Sequence, residues 1–273
     1  MHLIYLIVSA ALIPILNNFY PILRQSRSWW LVPVLFLSFF VGLLLLHLIV
    51  FAVCVLVINT KKPQNGVSHF YKNFTVITVK MLFKLARVEI RTTGEEKIPE
   101  NGRFMLVCNH LNDIDPAVII SQIPFVDLSF IAKKDIYKTL PFVAKVMHKL
   151  GCLPINRENN REAAKTIIKA VNVIKNDYSN IAVFPEGYTS KSGELLPFRN
   201  GAFKIAIRAN VPIVVCSLKG TYKIEKRLFF HKNIIYFNII DVLEKEKISL
   251  LSTNQISDIV HNMIESSLSD ENS

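Results

Sequence analysis

Two short polar clusters stand out in an otherwise apolar, basic chain of 273 residues. The first is Asn109-His110, with Asp115 five residues after the histidine; the second is Phe184-Pro185-Glu186-Gly187. A histidine that donates one ring N–H to a carboxylate has a fixed tautomer and keeps its other nitrogen basic. His110 and Asp115 so paired suit removal of a proton from a hydroxyl. The plainer alternative is that they cap a helix. In the second cluster Gly187 lets the backbone approach a ligand closely, and Lys191, Arg199 and Lys204 supply positive charge for an anionic substrate. Between the clusters, Gly151-Cys152-Leu153-Pro154-Ile155-Asn156-Arg157 ends in an arginine placed for bidentate phosphate binding. A helix cap or a surface ion pair is the competing role for Arg157.

Each cluster follows a run that reads as a buried strand. Continuous apolar stretches at 104–108, 181–184 and 213–218 fit strands covered on both faces. Residues 88–91 alternate with strand period and end at the Gly94 turn, and 128–132, 152–156 and 234–240 complete the set, the last closing the sheet. Helices are expected over 117–122, 135–150, 158–176, 200–209 and 256–268, with Asp115-Pro116 as an N-cap and a proline at the first helical position. Strands alternating with helices predict an α/β fold, a mostly parallel sheet flanked by helices. Both clusters then open at the carboxyl edge of one sheet, where ligands collect in such folds.

The front of the chain differs. Hydrophobic residues make up 51% of the sequence and mean hydropathy is +0.34, an excess concentrated at the N-terminus. Residues 29–59 hold no charged side chain; as a helix this run exceeds the roughly 30 Å hydrocarbon core of a bilayer. Residues 3–23 are also uncharged but carry Pro14, Asn17, Asn18 and Pro21, which leaves a second span, a kinked one or a re-entrant piece open. A cleavable signal peptide is disfavoured, since no basic n-region precedes the apolar run. Residues 1–60 therefore read as a membrane anchor of one or two transmembrane helices, 61–88 as an amphipathic linking helix, and 89–273 as the catalytic domain. In the linking helix, Phe70, Phe74, Ile77, Met81, Leu85 and Val88 form a stripe that faces either the membrane surface or the domain core.

Net charge is +11, from 32 basic and 21 acidic residues. Beside a membrane anchor this favours anionic lipid or substrate over nucleic acid, for which no DNA-reading helix or Arg- and aromatic-rich motif is present. Lys61, Lys62 and Lys72 after the long span outnumber Arg24 and Arg27 before it, which places the domain on the cytoplasmic face. Cys54, Cys108, Cys152 and Cys216 form no C-x-x-C pair and read as buried free thiols in a reducing compartment. Cys108, two residues from His110, is the competing nucleophile. No G-x-S-x-G elbow, P-loop or G-x-G-x-x-G turn occurs.

In combination, His110-x4-Asp115, the Arg157 strand, Phe184-Pro185-Glu186-Gly187 and Val211-Pro212-Ile213-Val214 resemble, in order and spacing, the four blocks of the glycerolipid acyltransferase family, over about residues 85–245. More narrowly the chain resembles 1-acyl-sn-glycerol-3-phosphate acyltransferases. The resemblance implies acyl transfer from an acyl-CoA or acyl carrier protein thioester to the 2-hydroxyl of lysophosphatidate, giving phosphatidate, with no metal or other cofactor; acylation of glycerol 3-phosphate or another lysophospholipid, and a catalytically silent membrane module that binds anionic lipid, are the competing readings. It implies His110 as base and Asp115 as its orienting partner, with Arg157, Glu186 and Gly187 lining the acceptor site and Lys133-Lys134 as a further phosphate contact. Amides near residues 115–117 would stabilise the oxyanion. The third block departs from the family pattern: Tyr188-Thr189 stands where Thr-Arg is usual, which leaves the phosphate contact and the identity of the acceptor open, with Arg199 and Lys191 as the candidates for the missing charge. Val215 also stands where the fourth block often has proline.

Overall fold

A computed structural model describes residues 2–19, 31–190, 192–224 and 232–269. Arg24, Arg27 and Lys191 lie outside the described residues. The chain divides into two compact units, Met1–Ile58 and Asn59–Ser273.

The first unit holds α1 (His2–Phe19) and α2 (Leu31–Leu56). With 26 residues and a mean hydropathy of 3.0, α2 is, among the described residues, the one helix long and apolar enough to cross a membrane. At 1.5 Å per residue it is about 39 Å long, and its apolar side chains, such as Leu37, Ile49 and Leu56, are exposed in the absence of lipid. A helix of this kind associates the protein with a membrane. The apolar stretch of α1, Ile4–Ile13, is shorter than a bilayer requires.

The second unit is built on a seven-stranded sheet among the described residues: β1 (Val88–Thr93), β2 (Met105–Cys108), β3 (Leu128–Lys133), β4 (Leu153–Ile155), β5 (Asn180–Val183), β6 (Ile213–Lys219) and β7 (Asn233–Leu243). Its order is β1-β7-β6-β2-β5-β3-β4, and β6, β2, β5, β3 and β4 run parallel. β7 is antiparallel to β6 and pairs in parallel with β1. The last strand therefore does not close the sheet: it lies inside, and β1 and β4 form the edges.

The helices are α3 (His69–Leu85), α4 (Asp115–Gln122), α5 (Ile136–Thr139), α6 (Pro141–Lys149), α7 (Asn160–Lys175), α8 (Lys204–Ala209), α9 (Lys245–Ser249) and α10 (Thr253–Ser269). Side chains alternate across each strand, so β2 feeds two cores. Leu106 and Cys108 join Phe130, Phe184 and Cys216 beneath α4, whereas Met105 and Val107 join Ile181, Val183 and Ile213 beneath α7, α8 and α10. This two-sided burial is why β2 and β5 read as unbroken apolar runs.

One local expectation is corrected, one open reading is narrowed and one element is new. The helix read over 135–150 is two helices, because Pro141 lacks an N–H and drives Leu140 out of helical geometry (φ −128°, ψ 70°). Of the stripe left open between membrane surface and core in the linking helix, only Met81 is buried, Phe74, Ile77 and Val88 are half-buried, and Phe70 and Leu85 are exposed, so the stripe as a whole does not face the core. The helix buries Lys72, Thr75, Val76, Thr78 and Met81 and leaves Phe70, Leu82 and Leu85 exposed. Lys72 is turned inward by Asp127, whose Oδ1 lies 2.5 Å from its Nζ. The short helix α9 was not expected.

Candidate active site

Because β2, β5, β3 and β4 are parallel, the segments that leave their carboxyl ends gather at one edge of the sheet. β2 and β5 are direct neighbours, with Val107 opposite Val183. His110 thus meets the 184–190 segment, and Arg157 emerges two strands away after β4.

Asn109 is fully buried and anchors the end of β2: its side chain exchanges two hydrogen bonds with the backbone of Leu218, at 2.9 and 2.7 Å. The chain then turns, and Asp115 reaches back into the turn. A single oxygen, Oδ2, accepts from His110 Nδ1 (2.9 Å), Leu111 N–H (2.6 Å) and Asn112 N–H (2.8 Å). Asp115 has no exposed surface, and its Oδ1 has no hydrogen-bond partner among the described residues. It is not the N-cap the sequence suggested. It is the first residue of α4, Ile114 precedes it without a side-chain cap, and its carboxylate serves the turn and the histidine instead. The histidine ring lies flat on Phe184, with centroids 4.3 Å apart and planes 18° from parallel. With Nδ1 donating to Asp115, Nε2 is the free, basic nitrogen.

Glu186 is only 3% exposed. Its Oε1 accepts from the His110 N–H at 2.6 Å and its Oε2 from the Leu196 N–H at 3.0 Å. Burial pushes its carboxyl up to about 7, opposed by those two amide hydrogen bonds. The segment also returns a bond to the histidine, as Ser190 N–H donates to the His110 carbonyl at 2.7 Å.

Gly187 adopts φ 77°, and a Cβ there would fall 2.7 Å from Arg199 Nε. The glycine is required twice, for its left-handed backbone and for the close approach of that guanidinium. Arg199 and Arg157 both lie over the Tyr188 ring, at 5.3 and 5.9 Å from its centroid. Arg199 Nη2 donates to the Tyr188 hydroxyl at 3.4 Å and Nη1 to the Arg157 carbonyl at 3.4 Å. Burial, followed by repulsion from Arg199, lowers the Arg157 guanidinium below its ordinary value, though an arginine stays charged at neutral pH. Both arginines line a cavity of about 390 Å³ with Gly187, Lys204 and Arg208, over an apolar floor that includes Ile131, Ile167 and Val183. Among the described residues no acidic side chain lines it. A larger cavity of about 500 Å³ lies at the opposite edge, by the starts of β2 and β5; its Glu95, Glu96, Glu100 and Asp127 oppose an anionic ligand.

The sequence-derived residues thus separate. His110, Asp115 and Glu186 form one hydrogen-bonded group, and Arg157, Gly187 and Arg199 line the cavity joined to it through Phe184. Lys133 and Lys134 do not line that cavity: they pair at the surface with Asp135 (2.8 Å) and Glu162 (3.2 Å). Thr189, where an arginine was expected, donates to Asp113 at 3.3 Å. Of the expected oxyanion amides, Asp115 N–H is committed to the Asn112 carbonyl and Pro116 has none, leaving Ala117. Cys108 is buried beside Cys216, and burial pushes its thiol well above the usual range, which removes the thiolate a nucleophile needs. Sequence reasoning missed Phe184 as the shelf for the imidazole, Tyr188 as the ring shared by two arginines, and Arg208. Only Arg208 left a signal, four residues after Lys204 and so on the same helix face.

Comparison with known proteins speaks to the family and the fold. The family model described as Acyltransferase matches residues 89–219. The 1-acyl-sn-glycerol-3-phosphate acyltransferase of Borreliella burgdorferi is 32% identical over 195 residues, covering 65% of this chain and 74% of the relative. The protein of the same name from Escherichia coli is 32% identical over 159 residues, covering 58% of this chain and 62% of that one. The crystal structure of the 1-acyl-sn-glycerophosphate (LPA) acyltransferase PlsC from Thermotoga maritima is similar with a TM-score of 0.56, over 73% of this chain and 82% of that chain. At 20% identity that likeness is one of fold. With the Borreliella burgdorferi relative 32% identical and covered over 74% of its length, and the family model spanning both polar clusters, the chain belongs to the acyltransferase family.

Proposed function

We propose that this protein is a membrane-anchored O-acyltransferase that moves an acyl chain from a thioester to the 2-hydroxyl of 1-acyl-sn-glycerol 3-phosphate, giving phosphatidate. The observation that carries the reading is the His110–Asp115 pair, 2.9 Å apart with the carboxylate fully buried, at the sheet edge shared with a cavity lined by arginines and, among the described residues, by no carboxylate. The names of the relatives point to the same acceptor and product.

In this mechanism His110 Nε2 takes the proton of the acceptor hydroxyl as its oxygen attacks the thioester carbonyl. The tetrahedral intermediate collapses by breaking the C–S bond, and the imidazolium returns its proton to the departing thiolate. The negative Asp115 carboxylate stabilises the imidazolium while it exists. Arg157 and Arg199 hold the phosphate, with Arg199 in place of the arginine missing at Thr189. A thioester is an activated donor, so the step needs no cofactor beyond it; acyl-CoA and acyl carrier protein both qualify. Association with a membrane would give such an enzyme direct access to an acceptor and a product that both reside in the bilayer. Lys61 and Lys62 after α2 favour a cytoplasmic face for the domain.

The test supplies lysophosphatidate with each donor to the purified protein in detergent, following thiol release together with phosphatidate. His110→Ala is expected to lower turnover by about 10²–10⁴ while the fold is kept. A folded His110→Ala protein that retains most activity would refute the mechanism. Thiol release without phosphatidate would mean a different acceptor.

A further inference from the structure

Among the residues at this site, Glu186 fits the acceptor pocket least. A carboxylate facing a phosphate would repel it, and this one faces inward: it is 3% exposed and, among the described residues, pairs with neither Arg157 nor Arg199. Both oxygens are instead taken by main-chain amides, those of His110 (2.6 Å) and Leu196 (3.0 Å). Burying a carboxyl group is costly unless hydrogen bonds offset it, and here its demand for donors is met by these two main-chain amides.

One of those amides belongs to the base. His110 lies two residues beyond the end of β2, where the regular strand ladder no longer fixes its main chain. Its N–H goes to Glu186, its C=O receives the Ser190 N–H at 2.7 Å, and its ring rests on Phe184 at 4.3 Å. Asp115 sets the rotation and tautomer of the ring and holds the turn after it through the Leu111 and Asn112 amides, but it does not touch the main chain of His110 itself. We propose that Glu186 is a positioning residue for the base: its carboxylate ties the His110 main chain to the 184–196 segment and makes no contact with the acceptor. The inference rests on His110 being the base, and it assigns the Glu-Gly pair to two tasks. Glu186 places the imidazole, and Gly187 admits Arg199 to the phosphate.

The test measures kcat and the lysophosphatidate KM of Glu186→Gln and Glu186→Asp beside wild type, His110→Ala and the double variant Glu186→Gln/His110→Ala, with rates normalised to folded protein by circular dichroism. Gln sets an N–H2 against one of the two amide donors and so breaks one tether. A base shifted by about an ångström costs on the order of 10²-fold, so kcat of Glu186→Gln is expected to fall about 10- to 100-fold with the acceptor KM little changed. Glu186→Asp, which keeps the charge, should recover part of the loss. On the His110→Ala background the Gln substitution should lower the residual rate no further, since there is no imidazole to misplace. A raised KM with kcat preserved would overturn the proposal and return Glu186 to the acceptor. Unchanged kinetics, a further loss in the double variant, or failure of both single variants to fold would also overturn it. Full activity of His110→Ala would remove the mechanism beneath it, a separate and recognisable outcome.

Discussion

Replacing Asp115 by asparagine separates the charge of this carboxylate from its geometry. In a general-base pair such a change usually does two things at once: it removes the charge and lets the amide flip, trapping the imidazole in the wrong tautomer, which costs about 10⁴ in kcat in the serine protease case. Here the flip is blocked. Leu111 and Asn112 aim N–H groups at Oδ2 from 2.6 and 2.8 Å, alongside His110 Nδ1 at 2.9 Å. An asparagine must place its oxygen there, because an N–H2 would oppose two backbone donors at about 1–3 kcal/mol each. Its N–H2 then occupies the place of Oδ1, which already has no partner among the described residues. The tautomer is kept and only the charge is lost. A charge-assisted hydrogen bond is roughly twice as strong as a neutral one, so the imidazolium loses about 1–2 kcal/mol of stabilisation. That corresponds to a fall of roughly 5- to 30-fold in kcat. Asp115→Ala instead strands two buried amides and should cost about 2–6 kcal/mol of stability. Phosphatidate formation with lysophosphatidate saturating, plus thermal unfolding of both variants, makes the test. An Asp115→Asn protein as inactive as His110→Ala, or as active as wild type, would refute the single-oxygen reasoning.

The remaining expectations concern the cavity and the thiols. Arg199→Ala should raise the acceptor KM about 10- to 100-fold, the worth of a charged hydrogen-bond pair to phosphate, and change kcat less; an unchanged KM would mean that Arg199 does not replace the missing arginine. Cys108→Ala should stay active within about twofold and lose about 1–2 kcal/mol of stability from the small cavity it leaves. A folded but inactive Cys108→Ala protein would reinstate the thiolate nucleophile.

What the sequence determined by itself is what short-range physics encodes. Apolar runs such as 104–108 and 213–218 specify strands buried on both faces, and the uncharged run of 29–59 specifies a helix at home in lipid. Parallel strands then send His110, Arg157 and Phe184 to one edge, so the general location of the site was legible before any coordinate. The pairing of His110 with Asp115 was legible too, but not the other contacts inside the site. Asp115-Pro116 carries a helix-start signal, and only the tertiary structure shows the same carboxylate oxygen also turned toward Leu111 and Asn112. Glu186 beside arginines reads as part of an anion site, yet its neighbours in space are the amides of His110 and Leu196. Lys72, counted among the charges after the long span, is drawn inward by Asp127, 55 residues on in the chain. In each case the deciding partner is a backbone group or an ion brought near by the tertiary fold. Backbone amides are identical at every non-proline position, so sequence records which side chains seek them but not which ones they find.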